Sequence, residues 1–399
     1  MSRKDQRKAP VLRFKGFTDD WEQRKLKDEY QKISNAFVGT ASPFYVEHGH
    51  FYLESNNIKN GQINHDHEVF INDTFYNEQR NKHLHTNDLV MVQSGHVGDS
   101  AVITKRYNNI AAHALIMFQN PKYSETSRFL NYYFQSYNAK KKISVISIGN
   151  TISHILASDM NKFITSFPKS SEQQKIATIF QRIQDLISLQ QQKNADIINL
   201  KKAILDKIFS NSNIQKWRDI RLNKVLSIPV DEPKEVTNID DIISVKLNTQ
   251  GISKIPNRST LKLGSTKYYV RHGGQFIFGK QNFFNGSMAI IPSEYDGKVS
   301  SKDVPSLNIN KDIVMPYFLW LYLSRPSFYK KTERWATGTG SKRLHIKDLL
   351  SLKIYIPNKN EQLRICNLMQ SLDTQILKSQ KHLKELQSIK KFLLQNMFI

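Results

Sequence analysis

The feature that most constrains this chain is an internal repeat with an offset of 189 residues. Residues 168–209 align with residues 357–398 without a gap, with eleven identities in 42 positions. The identities include Pro168/Pro357, Glu172/Glu361, Gln173/Gln362, Lys201/Lys390 and Phe209/Phe398. Repetition at a fixed offset indicates duplicated structural units. The sequence therefore predicts one framework that is built twice.

The repeat continues upstream of these segments. Gly149 and Asp159 match Gly338 and Asp348 at the same offset, and Trp21 and Leu26 have the same spacing as Trp217 and Leu222. Between each Trp and the following Pro lies a long segment, and these two segments share little sequence. A duplicated framework with two dissimilar inserts predicts two similar modules with different specificities.

Both aligned segments have the apolar spacing of a long helix. Apolar residues recur every three or four positions over 172–209 and over the matching segment to 398, without Gly or Pro. Pairing of the two helices with each other is the simplest prediction. Antiparallel pairing needs the shorter connection, although parallel pairing would also match the polar interruptions of the two apolar stripes.

We expect an antiparallel register in which Gln190 faces His382, Lys193 faces Ser379, Leu186 faces Leu386 and Ile183 faces Ile389. A central polar layer of this kind costs stability and specifies register. The residues predicted to pair the helices are Ile183, Leu186, Gln190, Lys193, Leu372, Ser379, His382, Leu386 and Ile389.

The segments that precede the helices are typical of mixed α/β structure. Short apolar runs bounded by Gly, Asn and His predict strands at 89–93, 101–105, 276–279 and 287–291. Amphipathic stretches at 127–141 and 315–331 predict helices at matching places in the two modules. The expected fold class is α/β (mixed α+β), with a pseudo-twofold internal repeat.

Charge indicates the kind of partner. The 399 residues contain 58 Lys and Arg against 35 Asp and Glu, a formal net charge of +23. Such a field attracts polyanions, and nucleic acid is the usual one. A generally basic proteome and an anionic membrane surface are the alternatives.

Composition also restricts location and chemistry. The single cysteine, Cys366, excludes an intrachain disulfide and a multi-cysteine metal site, and we expect it to be a packing residue. No apolar run is long enough to span a bilayer, and the N-terminus MSRKDQRKAP does not have the form of a secretory signal. We expect a cytoplasmic protein.

The known catalytic signatures that we sought are missing from the sequence. We find no P-loop, no strand–GxGxxG–helix, no Gly-x-Ser-x-Gly and no Asn/Asp-Pro-Pro-Tyr stretch. Gly338 and Gly340 do not precede a dinucleotide-binding helix. Glu232 and Lys234 have the spacing of half a nuclease site, but the proline between them argues against a central strand. We predict no catalytic residues in this chain.

Histidines cluster in the first module as His48/His50, His65/His67 and His83/His85. On a strand, residues two apart share a face, which is a workable metal geometry. The favoured interpretation is that they are polar loop residues, because the second module has no such cluster and a metal would not be part of the duplicated framework. We therefore assign no metal site and leave the role of these pairs open.

The candidate DNA-binding residues follow the predicted strands. Gln and Asn side chains pair bidentately with adenine, and Lys or Arg pair with guanine or contact phosphates. Solvated loop charge is the alternative for each of them. The predicted DNA-binding residues are Gln93, Ser94, His96, Lys105, Arg106, Arg271, Lys280, Gln281, Asn282, Lys342 and Arg343.

The segment VLRFKGFTDDWEQRKL, residues 11–26, resembles the opening of the specificity subunit of type I restriction–modification enzymes. The Gly…Leu…Asp…Pro…Glu-Gln…Ile block before each long helix resembles the same family twice. The resemblance covers nearly the whole chain, and the tandem order of its parts is specific. The second copy keeps Trp217 and Leu222 but lacks the Arg-Phe-x-Gly-Phe lead.

This resemblance implies a domain plan. Residues 10–167 and 213–356 would be target recognition domains that read the two halves of a bipartite, asymmetric DNA target. Residues 168–212 and 357–399 would be spacer helices that form a coiled-coil-like pair and dock the methylation subunits.

The resemblance also implies partners. Double-stranded DNA, two methyltransferase (modification) subunits and restriction/translocase subunits would bind this chain, with no membrane involved. The chain would bind no cofactor itself, whereas the partners would use S-adenosylmethionine, ATP and Mg²⁺.

Two other classes of protein remain as alternatives. A single-chain enzyme that methylates or cuts DNA would need cofactor and catalytic motifs that we do not find. A coiled-coil scaffold or an RNA-binding protein would not need two dissimilar inserts in a repeated framework.

Overall fold

The computed structural model describes residues 9–147, 153–254, 266–338 and 341–399, so Gly149 and Gly340 lie outside the described residues. The chain divides into two compact units. Unit 1 consists of residues 1–193 and 379–399, and unit 2 consists of residues 194–378. Each unit therefore contains one variable segment and parts of both long helices.

Unit 1 is built mostly from short strands. Its strands are β1 (Glu22–Lys25), β2 (Tyr30–Asn35), β3 (Tyr45–Val46), β4 (His50–Leu53), β5 (Ile58–Lys59), β6 (Gln62–Ile63), β7 (Phe70–Ile71), β8 (Leu89–Val92), β9 (Ser100–Val102), β10 (Ala111–Ala112), β11 (Leu115–Pro121) and β12 (Ile164–Phe167). Its helices are α1 (Asp73–Glu78), α2 (Ser124–Gln135), α3 (Tyr137–Ile146), α4 (Ala157–Lys162) and the first part of α5 (Ser170–Ile208).

The central sheet of unit 1 has the antiparallel order β2–β11–β8–β9. All four residues of β8 are buried, because Leu89 and Met91 face one apolar core and Val90 and Val92 face another. Burial on both faces explains why this strand is a continuous apolar run. In the described part of unit 1, three further sheets accompany it, the four-stranded β10–β4–β7–β3 and the two-stranded β1–β12 and β5–β6.

Unit 2 contains the later elements of the chain. Its strands are β13 (Arg218–Arg221), β14 (Leu226–Ser227), β15 (Pro233–Lys234), β16 (Ile243–Val245), β17 (Ile252–Lys254), β18 (Tyr268–Val270), β19 (Phe276–Phe278), β20 (Met288–Ile290), β21 (Val299–Ser301), β22 (Ser306–Ile309) and β23 (Lys353–Ile356). The helices are α6 (Asn211–Ile214), α7 (Leu222–Val225), α8 (Pro316–Leu323), α9 (Pro326–Tyr329), α10 (Ile346–Ser351) and the first part of α11 (Lys359–Asn396).

The central sheet of unit 2 repeats that of unit 1. Its order is β14–β22–β19–β20, which corresponds strand for strand to β2–β11–β8–β9. The pair β13–β23 likewise corresponds to β1–β12. The predicted fold class, two similar mixed α/β modules in tandem with long helices, is confirmed.

The predicted helices ahead of the repeat blocks are each broken in two. In unit 1 the break falls at Ser136, whose hydroxyl accepts a hydrogen bond from the Ala139 amide and so caps α3. In unit 2 it falls before Pro326, because the residue that precedes a proline is disfavoured in the helical conformation. The single helices predicted for 127–141 and 315–331 are therefore wrong.

The repeated Pro…Glu-Gln block has a structural role in each unit. The buried Gln173 side chain donates to the Pro168 carbonyl at 3.0 Å, and Gln362 donates to the Pro357 carbonyl at the same distance. Both bonds fix the chain where a long helix begins. The identity of these residues in both copies thus reflects a shared helix start.

The two long helices run antiparallel within each unit. In unit 1, Gln190 Nε2 donates to Ser379 Oγ at 2.8 Å, and Ile183 and Leu386 belong to one apolar cluster. In unit 2, Leu372 is buried in the main core, against which Ile197 packs. The antiparallel direction is confirmed.

The predicted register is wrong at several positions. Leu186 and Ile389 are each 50% exposed, and Lys193 and His382 also lie on the outer surface. Leu186 therefore does not pair with Leu386, Ile183 does not pair with Ile389, and the partner of Ser379 is Gln190. The reason is that Leu186 and Ile187 are adjacent apolar residues, and the inward face takes Ile187.

Candidate nucleic-acid interface

One loop occupies the same place in both units. It joins the two final strands of the central sheet, β8 to β9 in unit 1 and β19 to β20 in unit 2. The Ile155 amide donates to the Gln93 carbonyl at 2.9 Å, and the Leu344 amide donates to the Lys280 carbonyl at 2.9 Å. Ile155 and Leu344 are separated by the repeat offset, so the backbone frame of this loop is part of the duplication.

In unit 1 this loop presents few charges. The Gln93 side chain is buried, and the Ser94 hydroxyl is hydrogen-bonded to the His154 ring. His96 is exposed, and its Nε2 lies 3.1 Å from the Ser55 carbonyl oxygen. Of the three residues predicted here, His96 is therefore the most accessible to DNA, while Gln93 faces the protein.

In unit 2 the loop presents Lys280, Gln281 and Asn282, all half-buried. The β16–β17 hairpin holds the loop in place, because the Thr249 amide donates to the Gly286 carbonyl at 2.8 Å. Gly286 has φ +75°, and a Cβ there would lie 3.2 Å from the Asn248 and Thr249 backbones. The left-handed φ, together with this close approach, favours glycine here, so the three polar residues are carried on a well-defined turn.

Basic side chains surround this turn in unit 2. Burial lowers the pKa of Lys280, and the nearby Arg343 and Lys302 cations act in the same direction while Asp303 opposes them. Arg343 Nε lies 3.6 Å from Asp303, and Lys342 Nζ lies 2.7 Å from Glu333. Both ion pairs are exposed, so phosphate oxygens can replace the carboxylates at little cost. The turn can therefore accept the anionic backbone of a nucleic acid beside the side-chain amides of Gln281 and Asn282.

Arg271 does not belong to this surface. Its side chain is buried, and Nε donates to Ser300 Oγ at 2.7 Å while the guanidinium also contacts the Ser301 carbonyl at 3.3 Å. Burial lowers its pKa. The prediction that Arg271 approaches phosphate is wrong, because these internal bonds hold the guanidinium inside the unit.

Lys105 and Arg106 are exposed but lie away from the strand-end loop. The loop 93–99 extends from one end of the β8–β9 hairpin, whereas residues 103–107 follow β9 at its other end. These two residues line a groove of about 680 Å³ with Arg128 and Gln181. The predicted residues of unit 1 thus occupy two separate places.

The side chain of one histidine in each pair has a partner within the protein. His50 Nε2 lies 2.7 Å from Asp73, His65 Nε2 lies 2.7 Å from the Tyr107 hydroxyl, and His83 Nε2 lies 3.0 Å from the Tyr76 carbonyl. Within the ranges that the structure describes, no three metal-ligating side chains come together. Cys366 is buried in the core of unit 2.

Sequence reasoning missed His154 and Lys302. His154 lies one repeat offset before Arg343, so the duplication itself could have identified it. No sequence pattern indicated Lys302, because its position beside Lys280 depends on the turn between β21 and β22.

The chain has the architecture of a duplicated DNA-specificity protein, and comparison with known proteins agrees. The family model described as type I restriction modification DNA specificity domain matches it twice, over residues 18–199 and 215–388. Since the two matches together span most of the sequence, the chain belongs to this family.

Individual relatives are distant in sequence. The chain is 22% identical over 301 residues to the type I restriction enzyme MjaIX specificity subunit of Methanocaldococcus jannaschii. The matched region covers 69% of this chain and 68% of that protein. The fold resembles the type I restriction–modification S subunit of M. genitalium, with a TM-score of 0.60 and 15% identity over 98% of this chain and 99% of that one.

A second solved structure has a similar fold. It comes from a study of complex assembly and conformational transition of the type I R-M system, with a TM-score of 0.52 and 14% identity over 94% of this chain and 96% of that chain.

In the part of this chain that is described, no helix is both long and apolar enough to cross a bilayer.

Proposed function

We propose that this chain is the DNA-reading subunit of a type I restriction–modification complex, and that each unit reads one half of a bipartite, asymmetric target. Base contacts come from the strand-end loops, residues 93–99 in unit 1 and 279–287 in unit 2. Phosphate contacts come from the basic residues beside the loop of unit 2, and in unit 1 from Lys105 and Arg106 at the other end of the β8–β9 hairpin.

The observation that supports this proposal is one backbone frame with two sets of side chains. The hydrogen bonds Ile155–Gln93 and Leu344–Lys280 hold the two loops alike. The side chains differ, with His96 accessible in one loop and Lys280, Gln281 and Asn282 in the other. Because each set matches different base edges, the two half-sites differ in sequence.

We further propose that catalysis belongs to other subunits. Two methyltransferase subunits using S-adenosylmethionine and restriction/translocase subunits using ATP and Mg²⁺ would assemble on this chain in the cytoplasm. The chain itself would bind no cofactor and would transfer no methyl group. Its membership of the specificity family and its lack of the sought catalytic motifs support this division of labour.

The methylated adenines of the host genome provide the test. Single-molecule sequencing of the host should find one split motif with unlike halves, and that motif should lose methylation when this chain is deleted. The purified chain alone should transfer no methyl group from S-adenosylmethionine to the same DNA. A continuous motif, or methylation that survives the deletion, would contradict the proposal.

A further inference from the structure

Lys201 and Lys390 occupy the same position in the two copies of the helical repeat but have different partners. In unit 2, Lys201 forms an ion pair with Asp373, whose other oxygen accepts a hydrogen bond from Tyr317. In unit 1, Lys390 Nζ instead donates to Gln184 Oε1 at 2.8 Å and to Gln135 Oε1 at 2.9 Å. Gln184 stands one repeat offset before Asp373. The lysine at this repeat position is thus paired with a carboxylate in unit 2, whereas in unit 1 its charge has no carboxylate partner.

Lys390 is partly buried. Burial, with a further contribution from the Lys140 cation, lowers its pKa to about 8. Among the described residues, no carboxylate lies within ion-pair distance of it, and besides the two amide oxygens its Nζ lies 5.9 Å from the centre of the Tyr132 ring, a weaker cation–π partner. Even partial burial of a charge without a counter-charge costs free energy, so an anion that supplied one would bind favourably.

A cavity of about 600 Å³ in unit 1 gives access to Lys390. Three further lysines line it, Lys59, Lys140 and Lys391. Asparagine and glutamine amides form much of the remaining wall, and among the described lining residues Asp99 is the acidic one, with a pKa that burial raises. The wall is therefore positive and rich in hydrogen-bond donors.

The tip of the β5–β6 hairpin forms a fixed side of this cavity. Asn131 Nδ2 donates to the Gly61 carbonyl at 2.9 Å. Gly61 has φ +84°, and a Cβ there would lie 2.4 Å from Gln135 Nε2. Because glycine allows this contact, the hairpin closes onto the same glutamine that binds Lys390. The hairpin tip and Gln135 thus form one wall of the cavity.

We propose that this cavity binds a phosphate-class oxyanion, with Lys390 as the central positive charge. Lysine ammonium groups are common point-charge ligands of phosphate, and the volume accommodates a di- or triphosphate. The matching position of unit 2 is not a site, since Asp373 already neutralises Lys201. The phosphate comes either from a free phosphate compound or from the DNA backbone.

Calorimetric titration of the full chain with inorganic pyrophosphate at pH 7 tests this proposal. Wild-type protein should bind one equivalent saturably. Gln184→Asp, which supplies the carboxylate that unit 2 has, should weaken binding about tenfold or more. Gln184→Met removes the same amide without adding charge and should retain binding within about threefold. Asp373→Asn, in unit 2, should leave the pyrophosphate affinity of unit 1 unchanged.

Absence of saturable binding to the wild-type chain, or equal binding by Gln184→Asp, would overturn the proposal. Thermal unfolding of every variant shows whether the fold persists, and Lys390→Met gives an independent loss of charge that should abolish binding. Titration with duplex DNA separates the two sources. If the ligand is a DNA phosphate, pyrophosphate competes with the duplex and Gln184→Asp lowers the salt slope by about one. If it is a free compound, duplex affinity is the same in both proteins.

Discussion

Arg271 and Arg343 carry the same charge in the same unit but have different surroundings. Arg271 is buried and satisfied by Ser300 and Ser301, whereas Arg343 is partly exposed beside Asp303. A phosphate can reach only a guanidinium whose present partners are solvent-exposed. Exposure, rather than charge alone, therefore decides which basic residues can bind DNA.

Substitution of these two arginines should separate stability from DNA binding. Arg271→Ala leaves buried serine oxygens without a donor and should destabilise unit 2 by about 1–3 kcal/mol, with an unchanged salt slope of DNA binding. Arg343→Ala should leave the unfolding midpoint unchanged and lower the salt slope by about one. Urea unfolding and salt-dependent fluorescence anisotropy measure the two effects, and a changed salt slope in Arg271→Ala would contradict this assignment.

Gln281→Ala should affect one base pair. The half-buried amide lies on the turn held by the β16–β17 hairpin, so its loss removes a directional contact and little charge. We expect relaxed preference at one position, costing about 1–3 kcal/mol of discrimination, and no change at the other half-site. Competition binding against all single base-pair substitutions of the target measures this, and a uniform loss across positions would argue against base readout.

Lys390 should make stability depend on pH. Its pKa is about 8 in the folded chain and near the ordinary lysine value in the unfolded chain. Between these values the unfolded state binds more protons, so the free energy of unfolding rises with pH from about 8 to about 10.5. Below this window the buried charge destabilises the fold. The other charged groups that face the cavity are Lys140, Lys391, Lys59 and Asp99. They are left unchanged in every variant compared below, so they form a common background.

Denaturant unfolding at several pH values compares wild type with Lys390→Met. The variant should be more stable at pH 7, and the difference between the two proteins should shrink as the pH rises to 10. Gln184→Asp should also remove the pH dependence, because a carboxylate raises the pKa of Lys390. A difference that stays constant over this pH range would mean that Lys390 is not the titrating group.

At the scale of elements, sequence predicted what depends on local pattern. The apolar period identified both long helices, and the run Leu89–Val92 identified β8, because these patterns record burial. The helix register could not be predicted, since Leu186 and Ile187 fit the heptad equally well until the opposite helix is placed. Arg271 was misassigned for a related reason, because burial by β21 and β22 is a tertiary effect.

The contact between Gln190 and Ser379 is a polar interruption in an apolar helix pair. Replacement of both residues by Leu should stabilise the chain by about 1–2 kcal/mol while it weakens the preference for one register. Guanidinium unfolding measures the stability, and disulfide trapping between cysteines placed at 183 and 386 measures the register. Trapping as complete as in a chain with Gln190 and Ser379 intact would show that other contacts set the register.

At the scale of the whole molecule, the duplicated framework predicts separable specificity. Replacement of residues 213–356 by the equivalent segment of a relative should change one half of the methylated motif and leave the other half as it is. The physical reason is that the strand-end loop of unit 1 has its own frame in the Ile155–Gln93 hydrogen bond. Sequencing of methylated adenines measures the outcome, and changes in both halves would refute modular reading.

The division of the long helices between the units also fixes the order in which the two units can be completed during synthesis on the ribosome. Unit 2 is one continuous stretch, residues 194–378, and can close as soon as it emerges. Unit 1 begins first but requires residues 379–399, which place Met397 and Phe398 in its core. During synthesis, part of the apolar core of unit 1 therefore stays uncovered until all of unit 2 has been made. The half of the protein made first is the half that matures last.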